Sequence, residues 1–201
     1  MRAIVHQPGS PTPSARERIL AEAFVLFYAE GIRAVGVDLL ISRAEVAKAT
    51  FYRHFASKND LIVAYVDRRR TAWLGWLTEA VAERAERPED RLLAVFDALA
   101  ELLADPEYRG CAVHNAVVEA GRDAPGVAAS ALAHEADLLR YLTGLAAEAG
   151  IAAPDELAAR WVLLIDGACV GALRVGGPAP ALEARAAAQF HLADAGATAA
   201  R

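Results

Sequence analysis

An all-α protein of about nine helices is predicted by three observations. Apolar residues recur at spacings of three and four in one segment after another of the 201 residues. No stretch shows the two-residue alternation of a half-buried strand. Pro88, Pro106, Pro125, Pro154 and Pro178 each stand near the start of a periodic segment, where the missing proline N–H costs little.

The elements follow in order. Ser14 to Glu30 carries Ile19, Ala23 and Phe27 on one stripe with Leu20 and Phe24 beside them, and Gly31 ends it as a C′ glycine. Val37, Leu40, Ile41 and Ala44 mark a second, shorter helix, and Glu45-Val46 turns the chain into a third. In the third, Val46, Phe51 and Phe55 form the apolar side, which leaves Lys48, Thr50, Tyr52, Arg53 and His54 facing outward. Ser57 caps a long fourth helix, from about Lys58 to Arg87, with Lys58 in its first turn. Further helices are predicted over 88–104, 106–120, 125–149, 154–175 and 178–195.

Two cations, a hydroxyl, a phenol and an imidazole within seven residues suit a nucleic-acid backbone: charge for phosphates, and neutral donors that fix position. A lysine at a helix N-terminus, where free N–H groups already favour anions, adds a second phosphate clamp. The charge distribution agrees. The chain carries a formal −5, yet residues 1–70 hold 11 Lys and Arg against 7 Asp and Glu, and residues 71–201 hold 10 against 19. The positive charge is segregated where the docking surface is expected.

Residues 14–61 resemble the DNA-binding domain of TetR-family transcriptional regulators. The matching residues are Arg18-Ile19-Leu20, Phe24 and Phe27, Glu30-Gly31, Ala44 and Val46, Phe51-Tyr52-Arg53-His54-Phe55 and Ser57-Lys58-Asn59-Asp60-Leu61. The resemblance implies a helix-turn-helix motif over about 37–55, and operator DNA contacts at Lys48, Ala49, Thr50, Tyr52, Arg53 and His54, with Lys58 on a phosphate. It also implies a helical effector-binding and dimerisation domain over 62–201, and a homodimeric repressor released from its operator by a small molecule. Residues 1–13, rich in Pro, Gly and Ser from Gln7 onward, are expected to form a flexible arm.

Two positions depart from the family pattern. Glu45 stands where glycine is common in the turn, and Gly36 where a hydroxyl residue often caps the second helix. A positive φ at Glu45 would cost about 1–2 kcal/mol.

The segment Trp161 to Leu173 is apolar on nearly every side, which requires burial on more than one face. Trp161, Ile165, Gly167, Ala168 and Gly171 are the expected subunit interface, the two glycines allowing close helix approach. For the effector, Cys111, His114, Asn115 and Val118 recur at helical spacing on the sixth helix. Glu135 falls in line with Ala131, Leu138, Leu142 and Leu145 on the seventh, while Trp73 and Trp76 supply an aromatic wall. Polar groups on core-facing stripes need partners, and a mostly apolar pocket with a few polar anchors supplies them. The fourth helix, running from Lys58 to Trp73 and Trp76, is the expected link between effector and DNA.

Two cysteines, Cys111 and Cys169, lie outside any CxxC spacing, so neither a disulfide framework nor a zinc site is indicated, and no cofactor is expected. Met1-Arg-Ala-Ile-Val is too short for the apolar core of a signal peptide, and Trp161–Leu173 is too short to span a bilayer. A cytoplasmic location is expected. Two rival readings use other features. An enzyme would pair His114 with Glu135 or Cys111, but leaves the DNA-like surface without a role. An architectural DNA binder would be more basic overall.

Overall fold

The computed structural model describes residues 13–121 and 124–199. The arm expected over residues 1–13 therefore lies almost entirely outside the described residues. Nine α-helices and no strand are present among the described residues: α1 Ala15–Glu30, α2 Val37–Arg43, α3 Lys48–His54, α4 Lys58–Arg84, α5 Pro88–Ala104, α6 Ala112–Ala120, α7 Pro125–Glu148, α8 Pro154–Val175 and α9 Ala179–Ala199. They form two compact units. One comprises the chain up to Ala72 together with Ala112–Leu132; the other comprises Trp73–Cys111 and Ala133 onward.

In the first unit, α1 is started by a capping box. The Ser14 hydroxyl accepts the Glu17 N–H while the Glu17 carboxylate accepts the Ser14 N–H. Its stripe, Ile19, Ala23, Phe24 and Phe27, is buried in a core that also holds Leu40, Phe51, Phe55, Leu61 and Tyr65. Tyr65 meets the Phe27 ring edge-on at 5.3 Å between centroids. Arg69 on α4 is buried as well. Its guanidinium lies 3.5 Å from the Phe24 ring centroid and donates to the Phe24 carbonyl. Burial pushes its pKa down, and Tyr65 opposes that shift. Stacking and a carbonyl acceptor serve here in place of a carboxylate partner.

Helix α4 begins at a reciprocal cap: Ser57 Oγ accepts the Asp60 N–H, and Asp60 Oδ2 accepts the Ser57 N–H at 2.9 Å. The segment 112–132 belongs to this unit. Where α7 enters, a Cβ at Gly126 would lie 2.8 Å from a Val63 methyl, so glycine is what lets α7 approach α4.

The second unit is built on α5, whose Leu92, Val95, Phe96, Leu99 and Leu103 are buried against α8 and α9. Helix α8 turns Leu157, Trp161, Ile165, Ala168 and Ala172 inward. Helix α9 meets it with Ala181, Ala184 and Ala188, small residues that allow a close approach. Cys169 is buried, and burial pushes its thiol up to about 12. No disulfide joins Cys111 or Cys169 among the described residues.

The helix predicted from 106 starts instead at Ala112. Asp105 Oδ1 accepts the Glu107 N–H at 2.8 Å, and Tyr108 N–H bonds the Asp105 carbonyl, so Asp105-Pro106 makes a turn rather than a helix start. The bond from the Glu107 N–H holds the Asp105 carboxyl below its usual pKa. Gly110, at φ 92°, then leads into Cys111, which precedes α6 instead of lying on it. No helix among the described residues is long and apolar enough to cross a membrane.

Candidate nucleic-acid interface

Helices α2 and α3 are joined by a Schellman turn. Val46 N–H reaches the Ile41 carbonyl and Glu45 N–H the Ser42 carbonyl, each at 3.2 Å, which puts Glu45 at the left-handed C′ position with φ 51°. Arg18 on α1 braces the turn: Nε donates to the Ala44 carbonyl at 3.0 Å and Nη2 to the Glu45 carbonyl at 3.4 Å. Gly36 caps α2 without a side-chain bond. Replacing Glu45 by glycine is expected to raise the unfolding free energy by about 0.5–1 kcal/mol, the left-handed strain less the extra backbone freedom of glycine. Glu45→Ala keeps the strain and should give no gain; thermal unfolding of the two variants side by side checks this.

Phe51 anchors α3. It is wholly buried, which is worth about 1.5–3 kcal/mol, and it touches the rings of Tyr52 and Phe55. With that face fixed inward, Lys48, Ala49, Tyr52 and Arg53 are exposed, and Thr50 and His54 are half-buried at the margins. Lys48 Nζ lies 3.4 Å from Asp38 in an ion pair exposed on both sides, too weak to withhold the ammonium from a phosphate. Arg16, on the first turn of α1, places its guanidinium 5.2 Å from the Phe55 ring centroid. That position was not among the expected contacts, and only the fold brings α1 beside the end of α3.

Lys58 departs from the expectation of an outward-facing clamp. Its Nζ donates to the Ile32 carbonyl at 2.6 Å and lies 5.9 Å from the Phe27 ring centroid. Burial lowers its pKa, and the Glu119 charge opposes the shift.

The residues expected at an effector site divide between the units. Trp73, Trp76, Cys111 and Glu135 belong to the second, His114 and Asn115 to the first. Trp73, Trp76, Cys111, His114 and Asn115 are half-buried. Glu135 needs correction. It is exposed, because the inward stripe of α7 passes one residue earlier, through Ser130, His134, Leu138 and Leu142. His134 is the buried polar group there, edge-on to Trp73 at 5.2 Å. Val118 is corrected likewise: it is 78% exposed, and α6 buries Ala112, Val113 and Ala116.

The expected subunit interface is also corrected in part. Trp161, Ile165 and Ala168 lie in the core of the second unit, Trp161 edge-on to Phe96 at 5.1 Å. A Cβ on Gly171 would stand 3.0 Å from Pro180, so Gly171 serves the contact of α8 with its own α9. Gly167 is exposed. Together with Leu163 and Val170 on α8, and Leu182 and Phe190 on α9, it belongs to an open apolar set of residues.

A helix-turn-helix with a basic outer face, carried on an all-α chain, defines a class of DNA-binding regulator. Comparison with known proteins agrees with that class. Residues 19–65 match the family model for bacterial regulatory proteins of the tetR family. A TetR-family transcriptional regulator from Streptomyces coelicolor superposes with a TM-score of 0.79 at 32% identity, covering 90% of this chain and 95% of that one. The transcriptional regulator TcmR of Streptomyces glaucescens is 28% identical over 153 residues, 75% of this chain and 67% of TcmR. The transcriptional repressor NemR of Escherichia coli is 35% identical over 81 residues, which is 41% of its own length. The chain belongs to the TetR family: it is a DNA-binding transcriptional regulator and not an enzyme.

Proposed function

We propose that the protein is a homodimeric repressor in the cytoplasm, bound to a two-fold operator and released when a small, largely apolar molecule occupies its helical domain. The observation that carries the DNA part is the outer face of α3, where Lys48, Ala49, Thr50, Tyr52, Arg53 and His54 surround the buried Phe51 anchor. In this reading residues 14–61 dock on DNA. Tyr52, Arg53 and His54 hold phosphates, and Lys48 and Thr50 sit at base edges. Lys58 reaches a phosphate after leaving the Ile32 carbonyl. NemR, by its name a repressor, supports the same sense of regulation.

Residues 62–201 supply the rest of the proposed assembly. Leu163, Gly167, Val170, Leu182 and Phe190 meet their copies across the two-fold axis, since a two-fold site matches a two-fold protein. The effector lies within the second unit, among Trp73, Trp76 and Cys111, with His134 rather than Glu135 as the polar group contributed by α7. Helix α4 carries the signal in this reading, because Lys58 and Trp76 belong to one continuous helix.

The test is selection of duplexes from a random-sequence pool with the wild-type protein. A two-fold consensus should emerge. Against it, Tyr52→Ala should weaken binding to all duplexes alike, whereas Thr50→Ala should change the preference among them. Released duplex is then scored against a panel of small apolar molecules. A pool that shows no enrichment sinks the DNA reading, and a selected duplex that no panel member releases counts against the effector.

A further inference from the structure

Within the first unit, the last turn of α6 grips the corner between α1 and α2. Glu119 Oε2 accepts the Arg33 backbone N–H at 3.0 Å, and the Glu119 carbonyl accepts Arg33 Nε at 2.7 Å. The same carboxylate lies 3.1 Å from where a Gly31 Cβ would stand, and Gly31 holds φ 92°. A side chain there would be strained and would push the carboxylate away, so glycine makes the seat. Ile32, between these two residues, is the one whose carbonyl holds Lys58 Nζ. One three-residue corner therefore carries an anion on one side and the Lys58 ammonium on the other.

We propose that Glu119 is a positioning residue for DNA binding: by gripping Gly31–Arg33 it keeps the Lys58 ammonium on the Ile32 carbonyl, so that Glu119 and a DNA phosphate compete for Lys58. The inference rests on the reading of Lys58 as a phosphate contact. Burial lowers the Lys58 pKa and the Glu119 charge opposes that shift, so the carboxylate favours the ammonium where it sits on the Ile32 carbonyl. A grip of this kind gives α6 a direct hold on one phosphate contact. Loosening it would free a cation already sited at the start of α4, with no change in the reading face of α3.

The experiment uses the full-length protein and the duplex that the wild type selects from a random pool, titrated over a range of salt concentrations. Glu119→Gln keeps an oxygen for the Arg33 N–H but removes the charge that strengthens that hydrogen bond and attracts the Lys58 ammonium. It should raise affinity about three- to tenfold and steepen the log affinity against log salt slope by up to about one. Glu119→Ala should change affinity in the same direction. In a Lys58→Met background the gain should vanish, while Lys58→Met alone should lose affinity and flatten the slope. Unchanged or weaker binding by both Glu119 variants would overturn the proposal. An equal gain with and without Lys58 would do the same, since it would mark general removal of negative charge. If Lys58→Met binds like the wild type, the Lys58 reading fails together with this proposal, while selective binding by the wild type still supports the repressor.

Discussion

Leu163→Arg is expected to convert the proposed dimer into a folded monomer and to weaken operator binding by about 10²–10⁴-fold, the avidity lost when two linked half-sites become independent. Leu163 is 72% exposed in the single subunit, so an arginine there costs its fold little. Across a two-fold axis the same patch meets its own copy, so two added cations would be buried close together without partners. Gly171→Arg is a poorer probe, because Gly171 packs on Pro180 and the substitution would first break α8 from α9. Sedimentation velocity at micromolar concentration and titration with the selected duplex read the two effects separately. A Leu163→Arg protein that stays dimeric and binds like the wild type would remove α8 from the interface.

The helix-turn-helix was legible because its signals are local. The stripe through Phe24 and Phe27, the closing Gly31 and the Ser57 cap each fall within one or two turns, and each is present in the structure. The strain at Glu45 was legible from the family resemblance, because glycine is common at that position, and the backbone there is left-handed at φ 51°. The inward orientation of Lys58 was not legible, because the Ile32 carbonyl that holds its ammonium lies 26 residues away. Its neighbour Glu119 arrives on α6, and neither spacing nor composition brings that helix to the α1–α2 corner.

In α7 the error was a single residue of register. Ala131, Ala133 and Ala136 give almost no contrast between faces, so Glu135 and His134 fit the leucine stripe nearly equally well. In α6 the proline rule competed with Asx-turn chemistry at Asp105, and the turn won. In α8 the sequence is apolar on all sides, which shows that two faces need cover but not which of them the subunit covers itself. Packing decides that, and the largest side chain, Trp161, goes inside.

Trp161→Ala therefore tests the assignment of that face, and it should cost the subunit about 3–5 kcal/mol through lost apolar contact and an unfilled cavity. The indole has no exposed surface and stacks edge-on to Phe96, so its removal strips α5 and α8 of a shared contact. Its Nε1 is buried with no acceptor among the described residues, a defect that offsets part of what the ring contributes. Trp161→Phe removes that donor and retains most of the volume, so it should cost less than about 1.5 kcal/mol. Urea unfolding is best followed in the Leu163→Arg background, where dissociation no longer contributes and the midpoint is independent of protein concentration. A core residue makes the loss as large in the monomer as in the parent protein. A residue of the interface would make Trp161→Ala nearly silent in the monomer, and that outcome would return Trp161 to the contact between subunits.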